Sequence, residues 1–139
     1  MPRRRGDEGK GKAMGEMGTI SRVLLVEDEL LISDMIAEVL AEHGFEVCAV
    51  ASAKEALQHL TCGEPYDVLF TDINLPGGID GAALARLARQ LRPDLPVVYA
   101  SGAISRIEQL NAVPGATFVP KPYDPEKLCA LLGSFAARH

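Results

Sequence analysis

The feature that most constrains the fold is a regular alternation of short apolar runs with segments of helical periodicity. Runs rich in valine, leucine and aromatic residues recur five times and are typical of strands that are covered on both faces. They are residues 23–26, 45–50, 68–70, 97–100 and 117–119. Because such runs alternate with helical segments, the sequence predicts a parallel sheet with helices on both faces, a doubly wound α/β fold.

Apolar residues at intervals of three and four mark the predicted helices. Before Gly44, the first helix has an apolar stripe that consists of Ile32, Met35, Ile36, Val39 and Leu40. The S-x-x-E pattern of Ser52 and Glu55 predicts the start of the second helix. Asp80 and Asp124 are suitable N-caps for the third and the last helix. The last helix is predicted to bury Leu128, Leu131, Leu132 and Phe135.

The start of the chain differs in composition from the rest. Six of the 14 basic residues lie in the first 22 positions, in a segment rich in glycine and poor in large apolar side chains. We therefore expect residues 1–20 to be a disordered basic tail and residues 21–139 to form one domain. The net charge of the whole chain is −5, so the domain itself is acidic, which argues against nucleic acid as its main partner.

Composition also bears on the compartment. Three cysteines without a C-x-x-C pair argue against a disulfide framework or a zinc site and predict reduced thiols. The chain has no uninterrupted apolar stretch of about 18 residues, and its charged start lacks the apolar region of a secretory signal. We expect a cytoplasmic protein that makes no use of a membrane.

Polar side chains follow four of the five predicted strands. Glu27 and Asp28 follow the first, Asp72 the third, Ser101 the fourth and Lys121 the fifth. Because the ends of parallel strands point the same way, these side chains are expected to converge at one edge of the sheet. Two carboxylates about 4 Å apart repel by roughly 4 kcal/mol at an effective dielectric constant near 20, and one lysine cannot offset three acids. A hard cation such as Mg²⁺ can, and Asp72 is then a candidate nucleophile towards a phosphoryl group.

Four motifs are similar to those of the receiver domains of bacterial two-component response regulators. They are VLLVEDE, DVLFTDINLPGGIDG, PVVYASG and the KP of FVPKPYDP. The resemblance runs from Val23 to Phe135 and implies a flavodoxin-like (βα)5 fold with strand order 2-1-3-4-5. It also implies a phosphorelay protein that accepts a phosphoryl group from a histidine kinase or a histidine phosphotransfer protein.

The resemblance assigns the metal site and the phosphoacceptor. Asp72 corresponds to the aspartate that is phosphorylated. Asp28 corresponds to a direct ligand of Mg²⁺, and Glu27 to an acid that acts on the ion largely through water. Asn74, two residues after Asp72, lies where the family uses a backbone carbonyl as a further metal ligand.

Three more residues match positions that respond to phosphorylation in the family. Ser101 resembles the hydroxyl that moves towards the phosphoryl group, and Lys121 resembles the lysine that pairs with that group. Phe118 resembles the switch aromatic that packs inward or outward, and a plain core residue is the alternative interpretation. The bond between Lys121 and Pro122 is expected to be cis, as in the family.

Two features depart from the family pattern. The loop from Pro76 to Gly81 is one residue longer than in most members and contains two adjacent glycines. After Ser101, only Ile104, Ile107 and Leu110 indicate the fourth helix. The resemblance implies a downstream protein partner and leaves open a homodimer that forms on phosphorylation. No DNA-binding domain is expected in this chain, which would catalyse only its own phosphorylation and dephosphorylation.

Three other interpretations remain open at this point. A Mg²⁺-dependent phosphohydrolase with an aspartate nucleophile needs an acid for the leaving group, often two residues further on, where this chain has Asn74. A flavin-binding protein needs a phosphate-binding loop after the first strand, and Glu27 and Asp28 would repel phosphate there. A receiver-like module that binds partners without phosphorylation is the third alternative.

Overall fold

The computed structural model describes residues 21–102, 112–122 and 124–136, which contain five strands and four helices. The strands are β1 (Arg22–Val26), β2 (Glu46–Val50), β3 (Val68–Asp72), β4 (Val97–Ser101) and β5 (Thr117–Pro120). The helices are α1 (Leu30–Glu42), α2 (Ala53–Thr61), α3 (Gly81–Leu91) and α4 (Pro125–Ala136). The five predicted strands are therefore all present, together with the four helices that the periodicity indicated most strongly.

The strands form one parallel sheet with the order β2-β1-β3-β4-β5. This is the order 2-1-3-4-5 that the resemblance implied, so the flavodoxin-like fold is confirmed. In the register of the sheet, Asp72 of β3 is paired with Ala100 of β4, and Ser101 is paired with Pro120 of β5. The carboxyl ends of the central strands thus lie side by side.

Side chains of the sheet alternate between two hydrophobic cores, because successive residues of a strand point to opposite faces. One core lies under α2 and α3 and includes Leu24, Leu69 and Tyr99. The other lies under α1 and α4 and includes Leu25 and Phe70. All residues of β3 and β4 are buried, as expected for strands covered on both faces.

The predicted helix caps are confirmed. The Ser52 hydroxyl accepts the Glu55 N–H at 3.2 Å, while the Glu55 carboxylate accepts the N–H of Ala51, one residue before the cap. Asp80 accepts the N–H of Ala83 at 2.9 Å at the start of α3. At the start of α4, the Asp124 carboxylate accepts the Glu126 N–H at 2.9 Å. These bonds satisfy amide groups that have no partner within the helix.

Some details of the predicted helices are wrong. Met35 belongs to the predicted apolar stripe of α1, but 51% of its surface is exposed, and Ser33 is buried instead. In α4, Leu131 is only half-buried, whereas Cys129 is buried. Helical spacing alone does not fix how far a helix is rotated about its own axis when it packs on a sheet.

Two predictions concern residues outside the described part of the chain. These are the disordered tail at residues 1–20 and the weak fourth helix after Ser101. Among the helices that are described, none has both the length and the apolar character needed to cross a bilayer.

Candidate functional site

The carboxyl ends of four strands bring the predicted polar residues to one edge of the sheet. Glu27 directly follows β1, Asp72 ends β3, Ser101 ends β4 and Lys121 directly follows β5. Glu27, Asp72 and Ser101 are buried, with 4%, 8% and 3% of their surface exposed, whereas Asp28 is exposed. The site therefore combines two buried acids with an exposed one.

Three carboxylates form the centre of the site. One oxygen each of Glu27, Asp28 and Asp72 lies within 4.8 Å of the other two. The backbone fixes two of these groups. Glu27 Oε2 accepts the N–H of Glu29 at 3.0 Å, and Asp72 Oδ1 accepts the N–H of Asn74 at 3.2 Å.

Lys121 provides a positive charge at this centre. Its Nζ lies 2.7 Å from Asp72 Oδ2 and 3.9 Å from Glu27 Oε1. Its backbone N–H donates to the Ser101 carbonyl at 2.9 Å, which ties the end of β5 to the end of β4. The peptide bond between Lys121 and Pro122 is cis, as the resemblance implied.

The charges of the site perturb two ionisation equilibria. Burial raises the pKa of Glu27, and the charges of Asp72 and Asp28 raise it further, against the N–H of Glu29 and the charge of Lys121. Burial lowers the pKa of Lys121, but the hydrogen bond to Asp72 and the nearby negative charges outweigh burial, so that its pKa is raised. Lys121 is thus held as a cation, yet the buried Glu27 still favours a further positive charge.

The residues at the site fit a magnesium ion. Mg²⁺ takes oxygen ligands, usually one or two carboxylates together with waters. Glu27, Asp28 and Asp72 offer such oxygens in one cluster, and Lys121 is the cation that contacts two of these three acids. Asn74 is next to this cluster through its N–H bond to Asp72. The role of its carbonyl as a ligand stays a prediction.

The two predicted switch residues lie on β4, which is adjacent to the strand of Asp72, and on β5, which is the next strand along the sheet. Ser101 follows Ala100, whose carbonyl accepts the N–H of Ile73 at 3.1 Å, so the hydroxyl is on the strand adjacent to the phosphoacceptor candidate. Phe118 is half-buried and stacks on Tyr99, with ring centroids 5.1 Å apart and ring planes inclined by 25°. In this structure Phe118 therefore packs inward, against the core below α3.

Gly81 is a contributor to the site that the sequence analysis missed. A Cβ atom at this position would lie 1.9 Å from the backbone oxygen of Asp72, so only glycine fits. The Gly81 N–H donates to the Ile73 carbonyl at 2.7 Å. The start of α3 is thereby pressed against the end of β3. The Asp80-Gly81 pair predicts the start of the helix, but nothing in the sequence indicates that the first helical residue must lack a side chain.

The loop between β3 and α3 contains the extra residue noted in the sequence. Gly77 and Gly78 have φ angles of +94° and +92°, a conformation that residues with a side chain rarely adopt. A Cβ atom at either position would meet nothing within 4 Å. The loop between Asp72 and Gly81 therefore depends on two glycines in the left-handed region, and a side chain at either position would meet no neighbouring atom.

Comparisons with known proteins agree with this architecture. The family model described as the response regulator receiver domain matches residues 23–133. The chain is 35% identical over 121 residues to the response regulator protein FleR of Pseudomonas aeruginosa, covering 86% of this chain and 24% of FleR. It is 34% identical over 138 residues to the transcriptional regulatory protein TcrA of Mycobacterium tuberculosis, covering 96% of this chain and 53% of TcrA. The chain thus spans about a quarter to a half of these relatives.

Solved structures give the same result. A response regulator receiver protein from Sinorhizobium medicae WSM419 superposes with a TM-score of 0.77 at 32% identity, covering 86% of this chain and 98% of that one. A CheY-like receiver domain protein from Methanospirillum hungatei JF-1 has a TM-score of 0.69 at 26% identity, with 87% and 100% of the two chains covered. Since the family model covers most of the sequence and the fold agrees, the chain belongs to the response regulator receiver domain family.

Proposed function

We propose that this receiver domain accepts a phosphoryl group on Asp72 and passes the signal on by changing which protein it binds. The observation that carries the proposal is the buried Asp72 carboxylate, which is 2.7 Å from the Lys121 ammonium and within 4.8 Å of two further acids. Family membership supports a phosphorelay role more than a phosphohydrolase, a flavin-binding protein or a module that is never phosphorylated. The donor is a phosphohistidine of a histidine kinase or of a phosphotransfer protein.

Mg²⁺ is the cofactor that this site would take. Asp28 and Asp72 would hold it directly, Glu27 largely through water, and the Asn74 carbonyl would complete the protein ligands. When bound, the ion supplies positive charge that offsets the acids and the incoming phosphoryl oxygens.

Phosphoryl transfer is a nucleophilic substitution at phosphorus. A carboxylate oxygen of Asp72 forms the new P–O bond, the P–N bond of the donor breaks, and its electron pair returns to the imidazole ring. Lys121 is within reach of Asp72 and pairs with the charge that arrives there. Hydrolysis of the acyl phosphate by water resets the domain, so the only reactions it catalyses are its own phosphorylation and dephosphorylation.

The phosphoryl group adds a charge of about −1.5 to −2 at neutral pH beside existing acids, so it must recruit donors. Ser101 lies on the neighbouring strand, and a Cβ at Gly102 would meet nothing within 4 Å, which leaves room for movement there. We infer that the Ser101 hydroxyl moves towards the phosphoryl group and that Phe118, now stacked on Tyr99, changes its packing in response. The shape of the surface formed by β4, β5 and α4 then changes, and with it the protein that this surface binds.

The output of this change is a protein contact. A kinase or phosphotransfer protein binds as phosphoryl donor, a downstream protein reads the altered surface, and a homodimer of phosphorylated chains is one form of that contact. We propose that the domain works in the cytoplasm, where the kinases that phosphorylate such domains have access to ATP. Residues 21–139 are the receiver in this proposal, and residues 1–20 are a basic tail outside it.

The test is phosphorylation by a small-molecule donor. The protein is incubated with acetyl phosphate with and without Mg²⁺, and its intact mass is measured. We expect one labile phosphoryl group in wild type with Mg²⁺, none in Asp72→Asn, and normal uptake in Asp94→Asn, which removes an exposed aspartate remote from the site. Uptake by Asp72→Asn at the wild-type rate would contradict the proposal.

A further inference from the structure

A tyrosine in the middle of the sheet contacts both the candidate switch aromatic and the turn that leads into β5. Tyr99 of β4 is fully buried, and its ring stacks on the ring of Phe118 with the centroids 5.1 Å apart. Its hydroxyl oxygen accepts the N–H of Val113 at 3.3 Å. One side chain therefore holds both β5 and the segment that comes before it.

The register of the sheet explains why these groups meet. Tyr99 is the direct partner of Phe118 in the parallel pairing of β4 with β5. Ser101 lies two residues after Tyr99 on the same strand, so the two side chains leave the same face of the sheet. The side chains of Ser101, Tyr99 and Phe118 therefore share the face that α2 and α3 cover.

The turn before β5 is fastened to the sheet through the same tyrosine. The Val113 carbonyl accepts the N–H of the residue three positions later at 3.3 Å, and within this turn Gly115 has a φ angle of +78°, which favours glycine. Pro114 and Gly115 are exposed, whereas Val113 is buried. The bond from Val113 to Tyr99 thus connects an exposed turn with the interior of the sheet.

This bond restrains the direction of the Tyr99 ring. Burial raises the pKa of Tyr99 above its usual range, against the opposing effect of the Val113 N–H, so the hydroxyl is neutral. A neutral phenol accepts a hydrogen bond through its oxygen. Because Val113 is buried, breaking the bond costs more than making it contributes, and the hydroxyl end of the ring is held in place.

We propose that Tyr99 is a positioning residue of the phosphorylation switch, which favours the present conformation and links Phe118 to the exposed turn at residues 113–116. The inference rests on the proposed function of Asp72. When Phe118 changes its packing, it gives up the stacked contact, because the bond to Val113 prevents the Tyr99 ring from following it. The turn responds as well, since it is bound to the same side chain, and its exposed residues become part of the surface that a partner reads.

This role has a measurable effect on ligand affinity. Beryllofluoride with Mg²⁺ mimics the phosphoryl group and favours the conformation in which Phe118 has repacked. A residue that stabilises only the other conformation lowers the apparent affinity for beryllofluoride by the factor by which it shifts the two populations. An aromatic stack changes such an equilibrium by a factor of about two to ten.

The test is a titration of the full chain with beryllofluoride in excess Mg²⁺, followed by fluorine and amide NMR. Tyr99→Leu removes both the ring and the hydroxyl, and it is expected to bind beryllofluoride about two- to tenfold more tightly than wild type. Tyr99→Phe keeps the ring, so a smaller gain in affinity is expected. The Val113 amide should shift during the titration in wild type and should shift less in Tyr99→Phe, where its acceptor is missing.

The matched control is Tyr66→Phe. It removes a hydroxyl that donates to Glu64 at 2.7 Å, before the start of β3 at the opposite end of the sheet. This variant is expected to bind beryllofluoride with the wild-type affinity and to keep the response of the Val113 amide. The Tm of every variant is measured in parallel, because a merely structural role for Tyr99 would lower the Tm and leave the affinity for beryllofluoride unchanged.

Two results would overturn the inference while the proposed function stands. One is a wild-type protein in which beryllofluoride shifts the amides of residues 72–81 but not that of Val113, and this measurement needs no variant. The other is a folded Tyr99→Leu protein with the wild-type affinity or, if that variant does not fold, a Tyr99→Phe protein with the wild-type response at Val113. A wild-type protein that binds no beryllofluoride would contradict the proposed function and the inference together.

Discussion

At the scale of single residues, Glu27 is the residue whose ionisation most clearly destabilises the fold. Its side chain is buried, with two other carboxylates within 4.8 Å, and its nearest cation is the Lys121 ammonium at 3.9 Å. Burial and these acids raise its pKa above the usual 4.5. An acid with a raised pKa in the folded state lowers the stability of the fold once it ionises. The buried acid therefore costs the fold stability, which a bound cation would restore.

Glu27→Gln is expected to stabilise the metal-free protein at pH 7. The gain should be about 1–3 kcal/mol, the usual cost of a buried polar group that is imperfectly paired, with about 4 °C in Tm for each kcal/mol. The difference should be absent below the usual pKa of 4.5, where the carboxyl is neutral in both states, and should grow as pH rises through the raised pKa of Glu27. Thermal unfolding in a chelator at several pH values measures it.

Added Mg²⁺ should reverse this order. A ligand that binds only the folded state raises stability by mass action, and we expect the wild type to bind the ion more tightly than the variant. An equal increase in Tm for wild type and Glu27→Gln would show that Glu27 takes no part in the metal site.

Gly81→Ala is expected to destabilise the domain by about 1–3 kcal/mol, the usual cost of forcing extra atoms into a packed position. Its Cβ would clash with the Asp72 carbonyl at 1.9 Å and push α3 away from β3. Gly133→Ala is the matched control, because there the new Cβ meets only Phe45 at 3.8 Å. The control should gain up to about 1 kcal/mol, as alanine favours a helix over glycine. Urea titration of both variants shows whether the loss of unfolding free energy comes from the clash or from replacing glycine by alanine as such.

At the scale of elements, α3 begins directly after the loop that follows Asp72, and the contribution of its N-cap to stability can be measured. Asp80 accepts the Ala83 N–H, and its removal in Asp80→Ala should cost about 1 kcal/mol of unfolding free energy. Asp80→Asn should retain most of that stability, because asparagine caps helices about as well as aspartate. If both variants lose the same amount, the charge near the site and not the cap is responsible.

The elements themselves could be predicted because each depends on local pattern. The strands, the S-x-x-E cap at Ser52 and the cap at Asp80 follow from residue types and short spacings, and all are present. The exposure of Met35 could not be predicted in this way. It depends on the packing of α1 against the sheet and α4, where Ile36 and Leu40 turn inward, and no local signal sets that rotation.

At the scale of the whole molecule, the topology of the sheet was sufficient to predict most of the candidate site. Parallel strands alone predict that Glu27, Asp72 and Lys121 meet at one edge, and the structure places them in contact. The contact of Cys48 on β2 with His59 on α2 had no such rule behind it. It arises because an edge strand and the last turn of a helix pack at one angle, and sequence spacing does not encode that angle.

The proposed switch predicts a long-range response. With Mg²⁺ and beryllofluoride, a mimic of the phosphoryl group, amide shifts should extend from Asp72 to β4, β5 and α4, because Ser101 and Phe118 link these elements. Ser101→Ala should reduce the distant shifts and leave those near Asp72. The shift in population is limited by the difference in binding energy between the two states. Shifts confined to residues 72–81 in both proteins would contradict the switch.

The central claim is that Asp72 carries the phosphoryl group, and chemical trapping tests it most directly. Borohydride reduces an aspartyl phosphate to homoserine, which peptide sequencing by mass spectrometry locates to a single residue. After incubation with acetyl phosphate and Mg²⁺, we expect homoserine at position 72, beside Lys121, with Glu27 and Asp28 unchanged. Homoserine at position 28, or phosphorylated protein without homoserine at position 72, would contradict the account.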